Sequence, residues 1–342
     1  MLRVLMTLGL FVVAGCSAAE RTGEPVSSNS ESIYGGAQSG AEDDFVVRIE
    51  STNSWGQGVD CSGVVVSPKL VLTARHCLVN VPAGPFQCSS SGEIISDGEA
   101  GKFGAALDPT TAKVFVGPGY PLDVRAHGVQ SFVTETASVC RDDIALLLID
   151  TPIEVPAVPL RLIGGVQVGE QVSVVGYGAI YPPEAKLYRK RVSGIPVESV
   201  GPEAVDPNDD SSTPPRSFAV GRSSCGGDSG GPALSDETGA VMGVVSLSSD
   251  ACDLETVRNF FPRIAPHSTL FDEAFAAAGA EPWIEGAARP GSGDTCTDCE
   301  SSGCALVGRT RDVGVGAVVW SALAWLGLAR RASRSQRKPE VD

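Results

Sequence analysis

The chain has 342 residues, 42% of them hydrophobic and 20% charged, with 40 glycines and 23 prolines. That is a globular composition with a loop-rich bias, and it excludes a coiled coil, a collagen and a wholly disordered chain. A net charge of −15 argues against a nucleic-acid partner, because phosphate binding needs a basic surface, and three histidines exclude a His-rich metal site.

The chain opens as an export signal over residues 1–19: Arg3 supplies positive charge, residues 4–15 are apolar apart from Thr7, and small residues follow. Val13-Ala14-Gly15-Cys16 resembles the lipobox of bacterial lipoproteins, which implies acylation of Cys16 and attachment to a membrane. The alternative is a plain secretory signal cut near Ser17-Ala18-Ala19. Residues 20–32 are polar and unpatterned, as in a flexible leader or propeptide.

From residue 33 to 285 short β-rich runs recur between turn signals: 45–50, 63–66, 70–73, 113–116, 144–149, 171–177 and 240–247. Runs of this length and spacing predict an antiparallel all-β barrel or sandwich. One helix is expected at 268–278, where Leu270, Phe271, Ala274 and Phe275 share a face. Residues 286–312 form a Gly/Ser-rich linker carrying Cys296, Cys299 and Cys304. Residues 313–329 lack charge and, as a helix, would be roughly 25 Å long, slightly short for a hydrocarbon core of about 30 Å. The basic tail, 330–342, would stay on the cytoplasmic side. Cysteine, apolar helix and basic cluster together resemble the C-terminal sorting tails of some Gram-negative surface proteins. A small zinc knot is the bland alternative for those cysteines.

Three separated segments carry chemistry. Val71-Leu72-Thr73-Ala74-Arg75-His76-Cys77 is an apolar strand ending in a histidine. Cys140-Arg141-Asp142-Asp143-Ile144-Ala145-Leu146-Leu147 places carboxylates at the mouth of another. Cys225-Gly226-Gly227-Asp228-Ser229-Gly230-Gly231-Pro232 sets a serine in a glycine-dense turn. A histidine that takes the serine proton, and a buried carboxylate that fixes its tautomer, are what a nucleophilic triad requires.

Over residues 33–285 the chain resembles the trypsin/chymotrypsin family of serine proteases, most specifically at Gly227-Asp228-Ser229-Gly230-Gly231-Pro232. The resemblance implies two antiparallel six-stranded β-barrels, about 33–160 and 161–285, with a short C-terminal helix. It implies His76 as general base, Asp143 as orienting carboxylate and Ser229 as nucleophile, with the N–H groups of Gly227 and Ser229 as the oxyanion hole. Asp143 is chosen because the family motif is Asp-Ile-Ala-Leu, which leaves Asp142 as a solvated neighbour. Ser246 matches the serine that bonds the triad carboxylate. Leu247 stands in place of the family's usual tryptophan, and Arg75 where alanine is usual.

The same resemblance pairs Cys61 with Cys77 and Cys225 with Cys252. Cys88 and Cys140 are taken as a third bridge, one without a clear family counterpart. Six paired thiols suit an oxidising compartment. Ile33-Tyr34-Gly35-Gly36 is similar to the family's mature N-terminus, so a freed Ile33 ammonium is expected to pair with Asp228. The residue before it is Ser32, where activating proteases usually meet Arg or Lys. Cleavage there would sever any lipid on Cys16. The pocket floor falls on Ser223, which carries no charge for an Arg or Lys substrate. Ser248 and Asn259 are its expected walls, where bulk would favour small or medium apolar side chains.

The expectation is an exported serine endopeptidase at the cell envelope or surface, or released once its tail is processed. It needs no metal or cofactor. Its partners are protein or peptide substrates, an activating protease and the membrane. The alternative is a catalytically silent binding or adhesion module on the same scaffold.

Overall fold

The computed structural model describes residues 33–290 except 97, 120–121, 179–187, 207–208, 249–251 and 253, with backbone alone at 203–206 and 209–211. The signal, Cys16, the leader, Cys296, Cys299, Cys304, the 313–329 run and the basic tail lie outside the described residues. Among the described residues no helix is long and apolar enough to cross a membrane.

Six strands close a barrel: β1 (Val46–Thr52), β2 (Gly58–Ser67), β3 (Leu70–Thr73), β4 (Lys113–Phe115), β5 (Val124–Val133) and β6 (Ala145–Ile149). Their order is β1-β2-β3-β6-β5-β4, returning to β1 through pairs such as Glu50↔Lys113. The register Val64↔Leu72 and Leu72↔Leu146 explains why these strands are apolar at consecutive positions. Val47, Ile49, Val65, Val71 and Leu147 pack in one cluster. Their neighbours Val46, Val64, Leu72 and Leu146 pack in another, against the second sheet and the C-terminal helix. Side chains alternate across a strand, so a strand buried on both faces needs hydrophobic residues in phase and out of phase.

The second sheet contains β7 (Gln171–Gly176), β8 (Lys190–Val200), β9 (Ser217–Val220), β10 (Pro232–Ser235), β11 (Val241–Val244), β12 (Leu247–Ser248) and β13 (Asn259–Pro262). They run β11-β10-β7-β8-β9-β13-β12, with Ala37–Gln38 paired onto β8. This corrects the expectation of a second closed barrel: it is a half-barrel, an open path. An isolated bridge, Gly243↔Arg263, links the strand at one end to the residue after β13. The expected single run at 240–247 divides into β11 and β12, because the Val245 N–H turns to the Gly231 carbonyl and the Ser246 N–H to that of Phe260.

A four-residue helix, α1 (Val139–Asp142), precedes β6, and α2 (Ser268–Ala278) has the bounds its apolar spacing predicts. Phe271, Ala274 and Phe275 of α2 are buried against Leu70, Leu72 and Leu146. Gly279 ends the helix at φ 63°, a left-handed conformation that costs glycine nothing. Arg189 joins the two sheets. It is fully buried, donating to the Ser39 hydroxyl (2.9 Å) and the Val46 carbonyl (3.1 Å) while pairing with Asp44 (2.9 Å).

Candidate active site

The histidine sits on a 3-10 turn, Arg75–Cys77, directly after β3. Its backbone N–H donates to Asp143 Oδ1 (2.8 Å), and its Nδ1 lies 2.6 Å from Asp143 Oδ2. The Ser246 hydroxyl donates to that same Oδ2 at 2.5 Å. Asp143 is buried at the end of α1, so its bonds come from protein rather than water. Burial pushes the Asp143 carboxyl up, but the His76 charge and hydrogen bonds from His76 and Ser246 outweigh it and hold the pKa below the ordinary value. Burial likewise disfavours a charged His76. The facing carboxylate more than offsets it, and the imidazole pKa is raised.

The Ser229 loop meets the histidine barrel from the other sheet. The Ser229 carbonyl accepts the Ser62 N–H (2.7 Å) and lies 3.8 Å from Cys77 Sγ, one residue beyond the histidine. Close approach is what the glycines permit: a Cβ on Gly230 would stand 2.0 Å from Thr73 Oγ1 and 2.3 Å from the Ser62 carbonyl, at a backbone φ of +82°. Among the described residues no hydrogen bond joins the Ser229 hydroxyl to His76; such bonds often tighten only when substrate arrives. The N–H groups of Gly227 and Ser229 are likewise not engaged by backbone carbonyls there. Gly227 itself has φ 86°.

Asp228 is fully buried, and its Oδ2 accepts both the Ile33 N–H (2.9 Å) and the Cys225 N–H (2.9 Å). Burial pushes its pKa up to about 7 despite those bonds. Ile33 takes φ 41°, a strained value for a β-branched residue.

Ser223 and Asn259 come together on the pocket side. The Asn259 Oδ1 accepts the Ser223 N–H (2.8 Å), the Ser223 hydroxyl (3.1 Å) and the Ser224 N–H (3.1 Å). Asn259, the expected wall, is buried and braces Ser223, and Ser248 pairs with it across β12 and β13. All three expected disulfides form: Cys61–Cys77, Cys88–Cys140 and Cys225–Cys252.

Asp142 overturns its expectation as a solvated neighbour. It is buried, accepts from Arg216 Nη1 at 2.9 Å and lies 3.4 Å from His267 Nε2, because α1 turns it inward as Asp143 turns to His76. The structure gives two further residues their parts: Ser62, which the sequence reading passes over, and Arg75, noted there only as a departure from alanine. Ser62 donates to the Gly227 carbonyl (3.1 Å) and accepts the Tyr177 N–H (3.0 Å), clamping the serine loop to the histidine barrel; a hydroxyl in the middle of a buried strand was its signal. Arg75 is buried, stacks on Phe103 at 4.1 Å and donates to the Thr134 hydroxyl (3.1 Å) and Thr136 carbonyl (2.8 Å), tying the histidine turn to the loop before Asp143.

A mostly β chain that gathers a histidine, a buried carboxylate and a serine from three distant segments at the seam of two sheets has the architecture of a chymotrypsin-like hydrolase. The family model described as Trypsin matches residues 33–269, and the chain belongs to the trypsin family. It is similar to the CLIP domain-containing serine protease B4 of Anopheles gambiae, at 24% identity over 75% of this chain and 76% of that protein. It is also similar to a protein named Trypsin from Phaedon cochleariae, at 25% identity over 56% of this chain and 70% of its relative. The chain is a serine-type endopeptidase.

Proposed function

We propose that this endopeptidase works through Ser229, His76 and Asp143 in an acyl-enzyme cycle. The Ser229 Oγ attacks the scissile carbonyl as its proton passes to His76 Nε2. The resulting oxyanion is met by the N–H groups of Gly227 and Ser229, a donor pair in which each member contributes roughly 3–4 kcal/mol of barrier lowering in comparable sites. The imidazolium, stabilised by Asp143, gives its proton to the leaving amine. A water then repeats the sequence on the acyl ester and frees Ser229.

The observation that carries this reading is the unbroken relay Ser246–Asp143–His76, with 2.5 Å and 2.6 Å links, onto which the Ser229 loop is folded. A silent scaffold has no use for a buried carboxylate that orients an imidazole. The test is Ser229→Ala: peptide hydrolysis and fluorophosphonate labelling should both vanish while the circular dichroism spectrum persists. Turnover retained by that variant would remove the assignment.

Activation follows from the same residues. Cleavage before Ile33 releases an ammonium 2.9 Å from Asp228, and neutral Ser223 favours apolar over Arg or Lys residues at the cleaved bond. Export through the signal at 1–19 and tethering complete the proposal: a lipid on Cys16 holds the uncleaved chain, and once Ile33 is freed the 313–329 helix with its basic tail is the remaining tether. Amino-terminal sequencing of the mature protein separates an acylated Cys16, a free Ile33 and neither.

A further inference from the structure

Asp143 stands at the end of a helix that cannot hold itself. α1 spans four residues, Val139–Asp142, and Ser138 before it makes no side-chain cap. A single turn is far below the length at which helices persist in water, so its partners fix its direction. The Cys88–Cys140 bridge ties it to a hairpin, Gln87–Cys88 paired with Ile94–Ile95, which lines a cavity of about 980 Å³ with β12. The Asp142 carbonyl accepts the Thr134 hydroxyl at 2.9 Å, and that hydroxyl also takes Arg75 Nη1 at 3.1 Å. Both anchors belong to the histidine half of the chain.

The third anchor crosses to the other sheet. The buried Asp142 carboxylate accepts Arg216 Nη1 at 2.9 Å. Arg216 directly precedes β9, and its carbonyl accepts the N–H of Arg263, the residue after β13 (2.7 Å). Its backbone sits at φ 61°, a left-handed value that costs an arginine energy and persists only where the surroundings impose it. His267 covers the pair. Its side chain is buried, its Nε2 lies 3.4 Å from Asp142 Oδ1, and among the described residues that nitrogen has no hydrogen-bond partner. Burial holds the His267 pKa below its ordinary value despite Asp142, with Arg216 and Arg263 adding to the effect. Arg216 is therefore the cation bonded to this carboxylate.

We propose that Arg216 is a positioning residue for the triad: through Asp142 it sets the direction of α1, and so holds Asp143 against His76 from across the two sheets. This rests on the serine-protease reading above. Asp142 and Asp143 are adjacent, so a tilt of α1 that follows the loss of one contact moves the other carboxylate too. The Asp143–His76 link is 2.6 Å long. Misplacement on the order of 1 Å at a reacting centre costs about 100-fold in rate. The ion pair spans the same seam as the bond from the Ser62 N–H to the Ser229 carbonyl, so it also braces the serine sheet against the histidine barrel. A cleft of about 170 Å³, lined by Ser91, Arg141, Asp142, Pro215 and Arg216, opens this contact to small ions.

Peptide kinetics on the full chain with Ile33 freed test it. Arg216→Gly removes the cation yet suits φ 61°, so the backbone loses its strain while α1 loses its anchor. Its kcat should fall about 10- to 100-fold with KM changed less than about threefold, as for misplaced machinery rather than weakened binding. Arg216→Gln, neutral but long, is the second variant and should behave as the glycine does. Arg216→Lys keeps the charge and should stay within about threefold of the parent. Millimolar guanidinium should raise the kcat of Arg216→Gly, whereas sodium chloride of equal ionic strength should not. The acid limb of kcat/KM should move down toward pH 6.5, because a displaced Asp143 no longer favours the His76 imidazolium. Charge removal alone has the opposite sign: losing a cation eases protonation of the imidazole and moves the limb up. Arg75, the cation near both carboxylates, is common to every variant. Arg141→Met, which removes a surface cation paired with Glu93, should leave the kinetics parental. Parental kcat in both neutral variants, a limb that moves up, no response to guanidinium, or an equal loss in Arg141→Met would overturn the proposal. A parent that fluorophosphonate does not label would remove the protease reading and this proposal with it.

Discussion

In the uncleaved chain Asp228 is a buried carboxyl whose nearest donors are amides, not cations. Burial raises its pKa from 3.8 to about 7. The unfolded chain loses this proton near pH 4 and the folded chain keeps it until about pH 7, so folded-state stability falls between those values. At about 1.4 kcal/mol per pKa unit, the loss is on the order of 4 kcal/mol, complete above pH 7 and absent below pH 4. Cleavage before Ile33 replaces the amide by an ammonium against Oδ2, which favours the carboxylate and flattens the dependence. The perturbation is Asp228→Asn, in a Ser229→Ala background to prevent self-digestion. Urea unfolding of the uncleaved chain from pH 4 to 8 should show the Asn variant gaining on its parent as pH rises, by up to about 4 kcal/mol. In the cleaved chain the order should reverse, because the Asn variant leaves a buried ammonium unpaired, a defect worth about 3–5 kcal/mol. Parallel stability curves for the two uncleaved proteins would refute the reasoning, since every other titrating group is common to both.

Three further outcomes are expected. Ser246→Ala removes a 2.5 Å bond to a buried carboxylate and should lower kcat/KM roughly 10- to 100-fold with little change in fold, read by peptide kinetics and circular dichroism. Because the Asp143 charge holds the His76 pKa above its ordinary value, activity should fall as pH drops through a value above 6.5, the acid limb of a kcat/KM profile. Asp142→Asn takes away the anion facing Arg216 and His267 and should lower stability by about 1–3 kcal/mol in urea, whereas a solvated carboxylate would cost nothing measurable.

Much of the site was legible because it lies in short local patterns. The glycine-dense turn around Ser229, the Asp143-Ile144-Ala145-Leu146 phase and the strand ending in His76 each state a local geometry, and α2 announces itself through its apolar spacing. Several strands were harder to read. β5 carries Arg125, His127 and Gln130 on a largely exposed face, β8 holds Gly194 and Pro196, and β13 is too short to show alternation. Asp142 and Asp143 look equivalent along the chain; which way each points depends on a single helical turn and on what Arg216 and His267 present to it. Ser62, Arg75 and the cavity beside β12 depend on partners between about 25 and 170 residues away, which no local window contains.

The amino-acid order alone nominated the proposed chemistry: the serine, the histidine and the carboxylate of the candidate triad, and the uncharged Ser223. Those follow from residue type and immediate neighbours. Only tertiary structure decided that the second sheet stays open, that Asn259 braces Ser223 and Ser224, and that a disulfide-pinned hairpin lines a cavity with β12. Such features arise where distant backbone segments meet, and the energies that select them are contact and burial terms between residues that the chain itself keeps apart.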